Sequence, residues 1–183
     1  MINLYIDFDG VILDTITTTY KIMESINLDR SDDANTKVFY ATVDWKQIID
    51  TTSEINDALA CIKRIIDSKR FDVAILTHVH SLSELTEKLN FIRKHMDEIT
   101  VIGVPKLVSK TKMVNPKNAI LIDDYAGNLR EWTAAGGVGV RFSTELESKG
   151  FHVIDRLDQI LNIDFSKEVK LDDWWKSIKL YKW

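Results

Sequence analysis

The sequence predicts an α/β fold: a three-layer arrangement in which helices cover a parallel sheet, with a small helical insertion after the first strand. Short apolar runs at residues 2–6, 71–77, 99–104 and 119–122 are bounded by polar residues and read as buried strands. From Phe71 onward such runs alternate with helical patterns, which implies parallel strands joined by right-handed crossovers. Residues 15–70 break that alternation and are mostly helical. The 183 residues suit one α/β core with a modest elaboration. The expected division is a core of residues 1–14 and 71–165, a cap of residues 15–70, and a Trp-rich tail of residues 166–183 docked on the core.

Each element has its own signal. Ile2 to Ile6 is a short buried strand, and Val11 to Ile26 reads as a helix through the spacing of Ile12, Ile16, Tyr20 and Met23. Asn27 to Asn35 is charged and lacks apolar periodicity, so it reads as a loop. Lys37 to Asp50 carries Phe39, Tyr40 and Trp45, read as cap core rather than a platform for a nucleobase. Thr51-x-x-Glu54 resembles a capping box opening a helix whose face is Ile55, Ala58, Leu59, Ile62, Ile65 and Ile66. Phe71 to Thr77 is the next strand, and Ser81-x-x-Glu84 caps a helix with the stripe Leu82, Leu85, Leu89 and Ile92.

Ile99 to Val104 is a strand ended by Pro105, and Ala119 to Ile122 is another. Leu129 to Ala135 is a short helix terminated by Gly136-Gly137. Val138 to Phe142 and Phe151 to Ile154 follow as strands. In the tail, Leu171, Trp174, Trp175 and Ile178 form one apolar stripe; a homodimer contact or a membrane-surface helix is the alternative to docking on the core.

Composition excludes several classes. The net charge is −4, with 24 basic and 28 acidic residues interspersed, so duplex nucleic acid is not an expected partner. Cys61 is the single cysteine, which excludes an internal disulfide and a cysteine-based zinc site. With no basic leader and no long apolar segment, a cytoplasmic protein without a membrane partner is expected.

The residues that carry chemistry lie at strand ends: Asp7, Asp9, Thr77, Lys110, Asp123 and Asp124. Carboxylates placed where buried strands end are costly unless a cation or proton occupies them. In an open α/β sheet those ends form the ligand crevice. Transfer of a phosphoryl group needs its negative charge neutralised, and a lysine and a hard cation on carboxylate oxygens provide that. His78-x-His80 lacks a third ligand for zinc and reads as polar surface, with His78 a candidate for substrate positioning beside Thr77.

The set Asp7-Phe8-Asp9-Gly10-Val11, Ile75-Leu76-Thr77, Lys110 and Ile122-Asp123-Asp124 resembles the haloacid dehalogenase (HAD) superfamily of phosphatases, over residues 1 to about 142. The resemblance implies a Rossmann-like fold with a cap, and a Mg2+-dependent phosphomonoester hydrolase acting through an aspartyl-phosphate. It implies Asp7 as nucleophile, Asp9 as general acid/base, Thr77 at the phosphate, and Lys110 steadying Asp7 and the phosphoryl oxygens. Lys106 and Lys112 are the alternatives to Lys110. Metal ligation is implied for Asp7, for Asp9 through its carbonyl and for Asp124, with Asp123 acting through water. Asp123 stands where the family usually has Gly, and Asn128 where it has Asp.

The double Asp and the run Asn128-Leu129-Arg130-Glu131-Trp132 resemble the branch containing 5′(3′)-deoxyribonucleotidases. The expected partner is therefore a small phosphate monoester, a nucleoside monophosphate first, with sugar phosphates or phosphoglycolate as the alternative. A response-regulator-like phosphoacceptor domain is the alternative of another class; its acidic pair comes first in the chain, whereas here Lys110 precedes Asp123-Asp124.

Overall fold

Leu4, Ile6 and the whole of Ala119–Ile122 are fully shielded from solvent, as strands covered by helices on both faces must be. The computed structural model describes residues 1–168; the Trp-rich stripe expected at 171–178 lies outside them. The order is β1 (Ile2–Ile6), α1 (Thr15–Ser25), α2 (Asp33–Thr42), α3 (Trp45–Thr51), α4 (Ala58–Asp67), β2 (Phe71–Val79) and α5 (Leu82–His95). Then come β3 (Thr100–Pro105), β4 (Ile120–Asp123), α6 (Ala126–Ala134), β5 (Val138–Phe142) and β6 (His152–Ile154). Single 3₁₀ segments occupy Lys110–Lys112 and Leu157–Asn162.

The six strands are parallel in the order β3-β2-β1-β4-β5-β6. This is the doubly wound order with its switch point between β1 and β4, where ligands bind outside the strand ends. It differs from the 2-1-3-4-5 order of response-regulator folds, which removes the structural basis for that alternative. Ala58, Cys61, Ile62 and Ile65 of α4 join Leu4, Ile6 and Ile75 in the main core, so α4, within the β1–β2 crossover, packs back on those strands.

Several boundaries depart from expectation for identifiable reasons. The first helix starts at Thr15, not Val11, because the Phe8 carbonyl accepts from the N–H groups of Val11, Ile12 and Leu13 and folds them into a buried turn. Residues 27–35 are not all loop: the Asp32 carboxylate accepts from Ala34 N and Asn35 N, each at 3.1 Å, and starts α2 at Asp33.

Thr51 ends α3 instead of capping α4. Asn56 and Asp57, both at positive φ, form a turn before α4, and Glu54 Oε1 accepts from Leu59 N at 2.7 Å. Ser81 does cap α5, its hydroxyl accepting from Glu84 N at 3.1 Å. The helix is nevertheless rotated from its expected stripe: Leu82 is exposed, whereas Glu84, Lys88 and Ile92 are buried. The helix after β4 begins at Ala126, one turn earlier than Leu129.

Candidate active site

Asp7 is the first residue beyond β1, and its backbone N–H donates to the Ile122 carbonyl at 2.9 Å, which ties it to the end of β4. Its Oδ1 accepts from Phe8 N at 2.8 Å and lies 3.0 Å from Lys110 Nζ. The same ammonium donates to Asp123 Oδ2 at 2.7 Å. Lys110 is buried, while Lys106 and Lys112 are exposed; the 3₁₀ segment turns only the middle lysine inward. Burial alone would lower the Lys110 ammonium, but Asp123 and Asp7 outweigh it and hold it above its ordinary value.

Asp123 has no exposed surface and both its oxygens are engaged. Oδ1 accepts from Tyr125 N at 2.8 Å, and Oδ2 accepts from Asn128 Nδ2 at 2.9 Å as well as from Lys110. One carboxylate oxygen each from Asp7, Asp123 and Asp124 lie within 4.8 Å of one another. Burial pushes the Asp7 carboxyl up to about 7 against the pull of Lys110, with Asp123 and Asp9 adding to the rise. Burial, followed by Asp7 and Asp123, pushes Asp124 up to about 8. Crowded oxygens that resist ionisation together are what a hard divalent cation relieves.

A further detail fits a cation there. Gly10 sits at φ +70°, and a Cβ built on it would stand 2.5 Å from Asp124 Oδ2, so glycine leaves the space that this carboxylate occupies. Arg141, buried on β5, donates from one guanidinium nitrogen to the Asp124 carbonyl and from Nε to the Glu147 carbonyl at 2.7 Å, bracing the loop from behind.

Asp9 is turned away from this cluster. Its Oδ1 accepts from Thr15 Oγ1 at 2.7 Å, and its Oδ2 from Lys88 Nζ at 2.5 Å. Burial would raise its pKa, but Lys88 and the hydrogen bonds from Lys88 and Thr15 bring it below the ordinary carboxylate range. Thr77 is fully buried at the end of β2; its hydroxyl lies 3.5 Å from Asp9 Oδ2 and accepts from Lys88 at 3.2 Å. His78 lines the cleft, and its Nε2 donates to the Val108 carbonyl at 3.0 Å. Burial and then Lys110 hold its imidazole below the usual value, so it is a neutral ring near pH 7.

Asp7, Asp9 and Asp124 open onto a cleft of about 590 Å³, whose other side is lined by Tyr20, Tyr40 and Trp45 from α1–α3. Tyr40 stacks on His80, with ring centres 4.4 Å apart and planes 10° apart, and lies 6.2 Å from Trp45 at 20°. Phe39 and Trp45 are buried as expected for core, yet Trp45 also reaches the cleft.

Sequence reasoning missed Lys88, Glu84 and Arg141. Glu84 and Lys88 at i, i+4 look like a solvated surface pair, and only the rotation of α5 buries them. Arg141 did carry a signal, being a lone charge inside the otherwise apolar Val138–Phe142.

No protein-family model matches the sequence, and no curated protein matches it. Solved structures do. The chain is similar to a HAD phosphatase from Thermococcus onnurineus (TM-score 0.58, 12% identity, 88% of this chain and 97% of that one). It is similar to a subfamily IA HAD-superfamily hydrolase from Geobacter sulfurreducens PCA (TM-score 0.57, 14% identity, 88% and 99%). A HAD-superfamily hydrolase from Ehrlichia chaffeensis matches over 87% of this chain and 94% of its own, at TM-score 0.54 and 12% identity. With the strand order and the strand-end carboxylates in place, the chain has the Rossmann-like α/β fold of HAD-superfamily hydrolases.

Proposed function

We propose that the protein is a Mg2+-dependent phosphomonoester hydrolase working through an aspartyl-phosphate on Asp7. The observation that carries this reading is Lys110 bridging Asp7 and Asp123 at the β1/β4 switch point, with Asp7 and Asp124 lining a cleft. Asp7 and Asp124 would hold the cation directly, together with the Asp9 carbonyl, and Asp123 would act through water. Once bound, the cation supplies neutralisation of charge between phosphoryl and carboxylate oxygens. Lys110 steadies Asp7 for attack and shares the phosphoryl charge. Asp9, held as a carboxylate by Lys88, takes the proton from the water that cleaves the acyl phosphate. Thr77, at the end of β2 beside Asp9, is the candidate for the phosphate role, and neutral His78 orients the substrate.

A nucleoside or deoxynucleoside monophosphate is the proposed substrate class. The support is that Tyr20, Tyr40, Trp45 and His80 line the same cleft as Asp7, Asp9 and Asp124, so a base carried by the substrate would meet aromatic side chains there. The test is phosphate release with Mg2+ across nucleotides, deoxynucleotides and sugar phosphates. Nucleotides are expected to be turned over fastest. A profile in which sugar phosphates lead would reject the nucleotidase reading, and no release from any monoester would reject the hydrolase.

The raised carboxyls also predict how a cation stabilises the fold. Asp7 at about 7 and Asp124 at about 8 both bind protons more tightly folded than unfolded. Their contribution is therefore full below about pH 4 and is lost as pH rises through about 7–8 in metal-free protein. Thermal melting with and without Mg2+ should show a larger stabilisation by the ion at about pH 8 than at about pH 5. An equal shift at both would disconnect the ion from these carboxylates.

A further inference from the structure

Lys88 has no exposed surface, and its ammonium lies at the centre of four oxygens. It donates to Asp9 Oδ2 at 2.5 Å, Glu84 Oε1 at 2.7 Å, the His78 carbonyl at 3.0 Å and Thr77 Oγ1 at 3.2 Å. The rings of Phe8 and Trp45 flank it, with centres 5.4 and 5.5 Å from Nζ. Glu84 is itself almost wholly buried, and its second oxygen accepts from the His80 backbone N–H at 2.7 Å. The acid/base candidate is thus held from behind by a buried pair belonging to α5, an element outside the strand-end motifs.

Such a triad is a poor way to obtain stability, since buried ion pairs are often replaceable by apolar residues of similar volume at no loss. What it does supply is orientation. With Oδ2 held by Lys88 and Oδ1 by Thr15, Asp9 cannot rotate towards Asp7, Asp123 and Asp124 to become a further carboxylate of that cluster. We propose that Lys88, anchored by Glu84, is a positioning residue that holds Asp9 as the proton acceptor for the second half of the reaction. In that step water oxygen bonds to phosphorus, its proton passes to Asp9, and the bond from phosphorus to the Asp7 oxygen breaks. Phosphate leaves and the Asp7 carboxylate is restored. Lys88 itself does not touch substrate. The proposal rests on the hydrolase reading above.

The experiment follows both half-reactions with p-nitrophenyl phosphate and Mg2+. Nitrophenol release reports formation of the phosphoenzyme, and acid quenching followed by intact-mass analysis reports its persistence. In Lys88→Met, formation should stay within about tenfold of wild type while hydrolysis slows by about 10²-fold or more, so that the phosphorylated chain accumulates. Glu84→Gln, which keeps the ammonium and loosens its anchor, should show the same bias to a smaller degree. If Lys88→Met does not fold, Glu84→Gln carries the test. Equal slowing of both steps, or turnover without accumulation, would overturn the positioning role and leave the hydrolase reading intact. A wild-type protein that forms no phosphoenzyme and releases no phosphate would overturn the hydrolase reading itself.

Discussion

Asp7→Asn is expected to abolish Mg2+-dependent phosphate release, with turnover falling by at least ~10³-fold, and at the same time to make the metal-free protein more stable at about pH 8. The activity loss follows from chemistry, because the amide oxygen cannot form the acyl phosphate that a carboxylate forms. The stability gain follows from electrostatics. Asp7 is buried beside Asp123 and Asp124, and its carboxyl is pushed up to about 7, so above that pH the folded state bears an unfavourable charge. Asparagine keeps the acceptor for Phe8 N and Lys110 and removes the charge. Each kcal/mol relieved corresponds to about 2–4 °C in melting temperature for a domain of this size. Calorimetry in chelator and a phosphate assay with Mg2+ check the two halves. Retained activity would remove Asp7 from the nucleophile role, and a lower melting temperature would contradict the charge argument.

Lys110→Met should be the most damaging single change to the site as a folded object. The ammonium is the cation shared by Asp7 and Asp123, and its loss leaves three carboxylates facing one another in a poorly solvated place. Removing one partner of a buried ion pair costs about 3–5 kcal/mol. That cost should shrink at about pH 5, where Asp7 and Asp124 are neutral, and grow at about pH 8. Activity should fall by about 10²–10³-fold, as expected for loss of one preorganised charge at a transferring group. Lys106→Met and Lys112→Met, at exposed positions, serve as controls and should melt as the native chain does. Denaturant titrations at the two pH values, beside a phosphate assay, decide the matter; a pH-independent loss of stability would place the lysine's role in packing instead.

How much of this was legible beforehand depends on what each residue's signal was. Asp7, Asp123 and Asp124 could be found because a charge at the end of an apolar run is conspicuous, and a parallel sheet brings all its strand ends to one edge. Lys110 could be narrowed to a group of three; which lysine faces inward depends on the twist of one short 3₁₀ segment, and periodicity does not resolve that. The helices between β1 and β2 were blurred because their starts are set by side-chain caps such as Asp32 and by the left-handed pair Asn56 and Asp57, not by apolar spacing.

The chain's order of apolar runs, with acidic residues at their ends, by itself determined a parallel α/β sheet and the edge at which Asp7, Asp123 and Asp124 gather. That information is local, since burial of a strand and the cost of a terminal carboxylate are both written in neighbouring residues. Only the tertiary structure decided that Asp9 belongs to Lys88 and not to the carboxylate cluster, and that the α5 face expected to be a leucine stripe is turned so as to bury Glu84 and Lys88. The physical reason is that a helix is free to rotate about its axis until a long-range partner stops it. Here the partners are the carboxylate of Asp9, 79 residues earlier in the chain, and the aromatic faces of Phe8 and Trp45.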